Sequence, residues 1–202
     1  MICAGRSCAY AVCLSFFVGA QVVAAAGKTG KEDKPVASVE ASAVNTSSRE
    51  FRWEEHNKLS WDDFKGPVAA ETERSAAATH CGIGFRTITD VPGGKPSVIV
   101  YNTFYTSKSW VRPDARIASI LDHEQGHFDL CEIYTRKLRT RMSQFDFGTA
   151  DNRQALMAIY NEITGEYENQ QRAYEQETIH GTNTTAQQRW QQMMQLELRT
   201  RS

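Results

Sequence analysis

The sequence predicts an α+β fold in which N-terminal antiparallel strands pack on a C-terminal set of about three helices. Two observations predict it. Alternating apolar residues, typical of strands, are confined to residues 76–105. Apolar residues spaced three and four apart, typical of helices, fill residues 113–199. Because the strands come first and the helices follow, the two kinds of element should be segregated in the fold.

The first 49 residues are predicted to lie outside that fold. Arg6, an apolar run over residues 9–23 and then Ala24-Ala25-Ala26 are typical of a secretory signal peptide, residues 1–26, cleaved after Ala26. The alternative is an uncleaved anchor, since this run is about long enough to span a bilayer. Residues 27–49 lack large apolar side chains and are expected to be a disordered linker. We therefore expect an exported protein, periplasmic or secreted, with no membrane span after cleavage and a folded domain over residues 50–202.

Charge and cysteine content narrow the possible partners. The 202-residue chain has a formal net charge of −1, which gives no electrostatic reason to expect nucleic acid or an anionic membrane as a partner. Signal cleavage would leave Cys81 and Cys131. In an oxidising compartment these two either form a disulfide between strand region and helix or stay free.

The strand region begins with Phe51-Arg52-Trp53, read as a short strand, and with a turn or short helix over residues 59–67 that closes at Gly66. Residues 76–91 and 98–105 alternate in polarity and are separated by a turn at residues 92–95, which predicts a β-hairpin. Three helices are predicted after it, over residues 113–143, 151–178 and 184–199.

The motif H-E-x-x-H lies inside the first predicted helix, at residues 123–127. Positions four apart in a helix are only about 40° apart around the axis, so His123 and His127 project to one side and can bind one metal ion. A catalytic zinc takes three protein ligands and keeps one position for water, and Glu124 is placed to accept that water's proton. This arrangement predicts a zinc site of the zincin type that lacks one ligand.

A structural histidine pair is the alternative interpretation, since a short motif can occur by chance. The same helix face is otherwise mostly apolar and carries Ile120, Cys131, Tyr134 and Leu138. Two imidazoles in such a stripe must be desolvated with their nitrogens satisfied, and a metal ion achieves that most simply. We therefore favour metal binding.

The third ligand has to come from elsewhere in the chain. Cys131 lies about 6 Å of helical rise beyond His127, too far to share a metal with both histidines. Asp129 and Glu132 point away from the stripe and are expected to be solvated. His56 and His80 lie in the strand region and are expected to be ordinary surface or satisfied histidines. The end of the second helix, residues 174–181, remains.

These residues resemble the bacterial domain-of-unknown-function family 922, whose members are exported and predicted to be zinc-dependent proteases. The resemblance covers roughly residues 50–202 and implies that His180 is the third zinc ligand. Glu175 stands where the family pattern suggests an aspartate. The matching segments are residues 59–66, 77–79, 109–111 and 123–129, Tyr174, residues 177–181, Gln188 and Trp190.

The helical rise per residue leaves other residues possible as the third ligand. If the second helix packs straight back along the first, residues near 167–174 pass the histidine pair, and His180 overshoots by about 13 Å. Glu166 or Glu177 could then replace His180 as an oxygen ligand, and Tyr174 could hydrogen-bond a developing oxyanion.

The function predicted from the sequence is an exported Zn²⁺-dependent metallopeptidase. It would hold zinc through His123, His127 and His180, use Glu124 as general base, and act on a peptide or protein, with the hairpin edge as the place to pair an extended substrate. The alternatives are another zinc hydrolase, such as a cell-wall amidase, and a non-catalytic exported module with a structural metal.

Overall fold

A computed structural model describes residues 50–68, 75–89, 94–148 and 152–200. The predicted signal peptide and linker, residues 1–49, lie outside the described residues, and so do residues 92 and 93 of the predicted turn. The predicted α+β class is confirmed: the described residues form two small antiparallel sheets and three helices. The elements are β1 (Ala77–Ala78), β2 (Cys81–Ile88), β3 (Ser97–Phe104), β4 (Trp110–Val111), α1 (Ala118–Ser143), α2 (Asn152–Thr178) and α3 (Thr184–Thr200).

The predicted hairpin is present as β2 and β3, which pair antiparallel from Cys81↔Phe104 to Ile88↔Ser97. The buried side chains Phe85 and Phe104 of this hairpin face the helices. Phe85 packs on Tyr160 of α2, with ring centroids 5.4 Å apart. The hairpin therefore covers one side of the helix pair.

A second sheet was not predicted. β1 and β4 are two residues each and pair antiparallel through Ala77↔Val111 and Ala78↔Trp110, too short for an alternating pattern to reveal them. The strand predicted at residues 51–53 is reduced to a single bridge between Phe51 and Phe104. The predicted turn near residue 60 is a 3₁₀ turn over Trp61–Asp63.

α1 begins at Ala118, five residues later than predicted. Pro113–Ala115 forms a 3₁₀ turn, and Arg116 and Ile117 then leave the helical conformation with ψ values of 63° and 155°. The helix proper starts after that break. Its C-terminal end and the predicted bounds of α2 and α3 agree with the sequence to within a residue or two.

α1 and α2 run antiparallel with a steady register. Lys137 pairs with Glu166, and Arg141 lies 3.5 Å from Glu162, so each step back along α1 matches a step forward along α2. α3 closes the other side through the buried Trp190, whose ring packs edge-on against Tyr174 with centroids 5.4 Å apart. α1 is thus enclosed by the hairpin, α2 and α3.

Cys81 and Cys131 are both free thiols in this structure, so the disulfide that we considered is absent. The Cys81 thiol contacts the Tyr167 hydroxyl at 3.4 Å and the His127 carbonyl at 3.7 Å. Of the helices in the described part of the chain, none is long and apolar enough to cross a membrane.

Candidate metal centre

The two motif histidines lie side by side on α1. Their ring centroids are 4.8 Å apart, and the two Nε2 atoms are 3.2 Å apart. Both rings are buried, His123 with 3% and His127 with 4% of its surface exposed. The structure therefore brings the pair together on the inner face of α1, as the spacing of four residues predicts.

Glu175 of α2 completes a triangle with this pair. Its Oε2 lies 2.9 Å from Nε2 of His123 and 3.2 Å from Nε2 of His127. In a tetrahedral zinc site with ligand distances near 2.0–2.1 Å, neighbouring ligand atoms are about 3.3 Å apart. All three edges of the triangle are close to that length, so the three atoms match one face of a zinc tetrahedron.

The other nitrogen of each ring meets an amide oxygen. Nδ1 of His127 lies 2.5 Å from Oε1 of Gln171, and Nδ1 of His123 lies 3.2 Å from Oε1 of Gln187. The Gln171 amide is oriented by its own Nε2, which donates to the His127 carbonyl at 2.9 Å and to the Tyr167 hydroxyl at 3.0 Å. Because an amide oxygen can only accept, each Nδ1 donates its proton, and each Nε2 points into the triangle, where it can hold a proton or a metal ion.

Two nitrogen lone pairs and a carboxylate oxygen that face one another at this distance repel, unless a positive charge lies between them. The pKa values reflect this. Burial lowers the pKa of His127, but the hydrogen bond and charge of Glu175, together with the charge of Glu124, outweigh it and raise that pKa to about 9. Burial acts to raise the pKa of Glu175, and its hydrogen bonds to His123 and His127 instead hold it far below the usual range. A proton, or in its place a metal ion, would supply the missing charge.

Glu124 adds a carboxylate without a partner. Its side chain is buried, with 4% exposed, and its Oε2 has no hydrogen-bond partner among the residues that the structure describes. A buried, unpaired carboxylate oxygen is costly, by several kcal/mol in typical cases, and calls for a water, a proton or an ion beside it. The donor set of two imidazoles and a carboxylate next to it fits zinc.

Tyr174 packs against both histidine rings. Its ring stacks on His123 with centroids 4.9 Å apart and an interplanar angle of 18°. Its hydroxyl donates to the His123 carbonyl at 3.0 Å, and burial raises its pKa. The role that we considered for Tyr174, donating to an oxyanion, is not one that this buried hydroxyl is placed to perform.

Gly126 of the motif is explained by the same tyrosine. A Cβ at this position would collide with the Tyr174 hydroxyl and lie 3.1 Å from Cε of Met194. Glycine is therefore needed for Tyr174 to approach the turn of α1 that carries both histidines.

Gln125 and Asp129 join α1 to the N-terminal segment. Gln125 Oε1 accepts from the Leu59 amide at 2.8 Å, and Asp129 Oδ1 accepts from Gln125 Nε2 at 2.8 Å and from Trp53 Nε1 at 3.0 Å. The expectation that Asp129 and Glu132 are solvated was wrong. The segment that precedes β1 covers Asp129, and β3 covers Glu132. Glu132 is fully buried there.

His180, the predicted third ligand, lies next to the triangle and outside it. The group of donor atoms within 4.8 Å of one another consists of His123, His127 and Glu175. His180 donates from Nδ1 to Oε1 of Glu175, the oxygen that does not face the histidine pair. The two alternatives lie elsewhere: Glu166 pairs with Lys137, and Glu177 pairs with Arg189 and accepts from Trp190 Nε1 at 2.9 Å.

The sequence interpretation missed Glu175 although a signal for it was present. The buried stripe of α2 includes Tyr167, Gln171, Tyr174 and Thr178, and Glu175 falls on it, four residues after Gln171. Glu177 falls on the other side. The prediction that residues near 167–174 pass the histidine pair was nearly right. The register of the two helices places Gln171 opposite His127 and Glu175 opposite His123.

Comparison with known proteins identifies a family. A family model described as bacterial protein of unknown function, DUF922, matches residues 62–181. The matched range includes the whole triangle, Glu124 and His180. No curated protein and no solved structure matches the chain.

Proposed function

We propose that this chain, which belongs to the bacterial protein family DUF922, is a zinc-dependent hydrolase that cleaves peptide bonds. The observation that carries the proposal is the triangle of two imidazole nitrogens and one carboxylate oxygen, together with Glu124, whose buried Oε2 has no hydrogen-bond partner in the described part of the chain. Its ligands would be His123, His127 and Glu175, a His-His-Glu set that leaves a fourth position open.

Each residue has a defined task in that reaction. A bound zinc ion would supply a Lewis acid that makes a water nucleophilic near neutral pH. Glu124 accepts the proton of that water at Oε2 and returns it to the amine that leaves. Gln171 and Gln187 accept from the Nδ1 atoms and so keep both Nε2 lone pairs turned inward.

Three protein donors support a catalytic rather than a structural ion. Structural zinc sites take four protein ligands, whereas catalytic sites take three and a water. Among the described residues, the cluster holds three donors, and the residue beside it is an acid without a partner. An exported module with a closed, structural metal is therefore the less favoured interpretation.

A peptide is the proposed substrate because a short strand runs beside the general base. Thr79, directly after β1, donates to the Glu124 carbonyl at 3.3 Å. The backbone amide of Arg112 donates to the Ala76 carbonyl at 2.9 Å. Hydrogen-bonded and non-hydrogen-bonded pairs alternate along an antiparallel ladder, so the next pair, Ala77 and Val111, is not hydrogen-bonded, and the N–H and C=O of Ala77 point away from β4. We propose that an extended peptide lies along that side of β1, rather than along the hairpin edge that we first considered. Export, to the periplasm or beyond, stays a prediction from residues 1–26.

The test starts with the purified protein. Zinc content is measured by mass spectrometry, and cleavage is followed with a mixture of quenched fluorescent peptides, before and after a chelator and after zinc is restored. We expect one zinc per chain and an activity that disappears and returns with the metal. Glu124→Gln should keep the zinc and lose turnover by a factor of about 10²–10⁴.

Glu177→Gln is the matched control, because this glutamate is near Glu175 in the chain but pairs with Arg189. It should retain both zinc and activity. A protein that binds no zinc, or a Glu124→Gln variant that turns over substrate as fast as the unchanged protein, would contradict the proposal.

A further inference from the structure

α2 ends in three successive residues with left-handed backbone. Ile179, His180 and Gly181 have φ values of 50°, 55° and 79°. Glycine adopts this conformation freely, but a β-branched residue such as isoleucine rarely does. Backbone strain of this kind persists only where the surrounding structure enforces it, and it concentrates at functional sites.

The turn is enforced by hydrogen bonds within the chain. The amide of Asn183 donates to the Thr178 carbonyl at 2.7 Å, and the amide of Thr182 donates to the Ile179 carbonyl at 3.1 Å. The side chain of Ile179 contributes little to burial, since 56% of its surface is exposed. The strained residues are thus not explained by packing of Ile179.

The turn does bring His180 back to Glu175. In a continued α-helix, a residue five positions later would point about 140° away around the axis and could not reach that carboxylate. In the left-handed turn, Nδ1 of His180 donates to Oε1 of Glu175, while Oε2 faces the two histidines. One carboxylate therefore has a separate partner for each oxygen.

Gly181 fits the turn against the other metal-facing helix. A Cβ at this position would lie 2.8 Å from Cβ of His123, and its φ of 79° also disfavours any side chain. Thr178 Oγ1 lies 3.4 Å from Nδ1 of His123 and 3.4 Å from the Gly181 amide that donates to it. The turn therefore touches one proposed ligand from each helix.

We propose that His180 is a positioning residue for Glu175, an inference that rests on the proposed function. The two oxygens of a glutamate are chemically equivalent and its last torsion is broad, so an unrestrained carboxylate can rotate or bind a metal through both oxygens. By holding Oε1, His180 leaves Oε2 alone to face the metal position. The left-handed turn is the device that puts the ring there.

The test measures zinc and cobalt binding, which does not require a substrate. Zinc affinity is measured by competition with a chromophoric chelator, and the visible spectrum of the Co²⁺-loaded protein reports the coordination. His180→Ala should still bind one zinc at saturation, with an affinity lower by about 10–100-fold, and should show a changed cobalt spectrum. His180→Asn, whose amide nitrogen replaces Nδ1, should restore affinity to within about threefold and restore the spectrum.

Ile179→Ala is the matched control, because it changes the neighbouring exposed side chain of the same turn and leaves the contact to Glu175. It should bind zinc as the unchanged protein does. Circular dichroism checks the fold of each variant. Should His180→Ala fail to fold, His180→Leu takes its place as the variant without a donor, and it should bind zinc more weakly than His180→Asn.

The possible failures are distinguishable. An unchanged zinc affinity and cobalt spectrum in His180→Ala would overturn the positioning role. Loss of all zinc binding in His180→Ala, with binding retained in Glu175→Gln, would overturn it too and make His180 a ligand. Zinc binding that responds to His180 in a protein that cleaves no peptide would contradict the proposed function and support the positioning role. An unchanged protein that binds no zinc would overturn both.

Discussion

Two of the buried glutamates, Glu132 of α1 and Glu175 of α2, differ in their partners. Glu132 is fully buried, yet its Oε1 accepts from Nε of Arg136 at 2.6 Å and its Oε2 accepts from the amide of Asn102. Glu175 faces three histidines and has no guanidinium or ammonium partner among the contacts of the described residues. A guanidinium keeps its charge at every accessible pH, whereas an imidazole does not.

The nature of the partner determines what each carboxylate can do. At Glu132 the compensating charge of Arg136 is permanent. Both carboxylate oxygens have a partner, and the contact to Asn102 joins α1 to β3. At Glu175 the compensating charge is exchangeable, because protonated His127 can release its proton and a metal ion can take that place. Burial of a carboxylate is common to both sites, and the titratable partner is what marks the second as a functional candidate.

The largest expected effect is on metal binding by Glu175→Gln. Removing one of three ligands should lower zinc affinity by about a thousandfold, or about 4 kcal/mol, because a neutral amide replaces an anionic donor. Competition with a chelator measures it. Glu132→Gln should leave zinc affinity within a factor of a few, and equal losses in the two variants would remove the distinction between the two sites.

The next largest effect is on the free energy of unfolding, and here the larger change is expected at Glu132. Glu132→Gln leaves the charge of Arg136 uncompensated and turns an amide donor toward Asn102, so we expect about 3 kcal/mol of destabilisation in urea unfolding. The control is Glu162→Gln, which breaks the exposed pair with Arg141 and should change the unfolding free energy by about 0.5 kcal/mol or less. Equal effects in these two variants would mean that Glu132 does not stabilise the fold through Arg136 and Asn102.

A third prediction concerns the glycine beneath the histidines. Gly126→Ala places a methyl group against the Tyr174 hydroxyl, so Tyr174 or α1 has to shift. We expect about 2 kcal/mol of destabilisation, typical of an overpacked core. Thermal unfolding measures it, with Gly165→Ala on α2 as the control, since a Cβ there meets nothing within 4 Å. Equal stability of Gly126→Ala and Gly165→Ala would contradict the close approach of Tyr174.

The smallest expected effect is proton release. Because the pKa of His127 is raised to about 9 by Glu175, the metal-free protein carries a proton there at pH 7, and zinc has to displace it. Calorimetry in buffers of different ionisation enthalpy should show about one proton released per zinc at pH 7, and apparent affinity should rise about tenfold per pH unit up to pH 9. Binding without proton release would contradict the charge balance inferred for the triangle.

The stability of the metal-free protein should show the reverse trend with pH. The raised pKa of His127 stabilises the fold fully below its ordinary value of 6.5, and this contribution is lost as pH rises toward 9. The lowered pKa of Glu175 stabilises the fold above its ordinary value of 4.5, and this contribution is lost as pH falls below it. Urea unfolding across pH should find the contribution of this cluster largest between pH 4.5 and 6.5. Glu175→Gln should flatten that dependence.

The sequence predicted the parts of the fold that depend on a repeated local pattern. α2 and α3 are long amphipathic segments, and β2 and β3 alternate, so their positions could be predicted. β1 and β4 could not, because two residues do not make a pattern and their pairing joins segments more than thirty residues apart.

The same limit applies to the candidate site. His123, Glu124 and His127 are one local motif on one helix, and spacing alone predicts their arrangement. Finding Glu175 in the cluster in place of His180 required the register of α1 against α2 and the left-handed turn at residues 179–181, neither of which a local pattern encodes. The identification of the family from these residues was confirmed.

The span between the two halves of the triangle has a consequence for a chain as it is made. His123 and Glu175 are 52 positions apart, so a nascent polypeptide that has emerged only as far as α1 carries two nitrogens and no oxygen to close on them. Two imidazoles alone hold a divalent cation weakly, so the three-donor cluster is complete only after α2 has docked on α1.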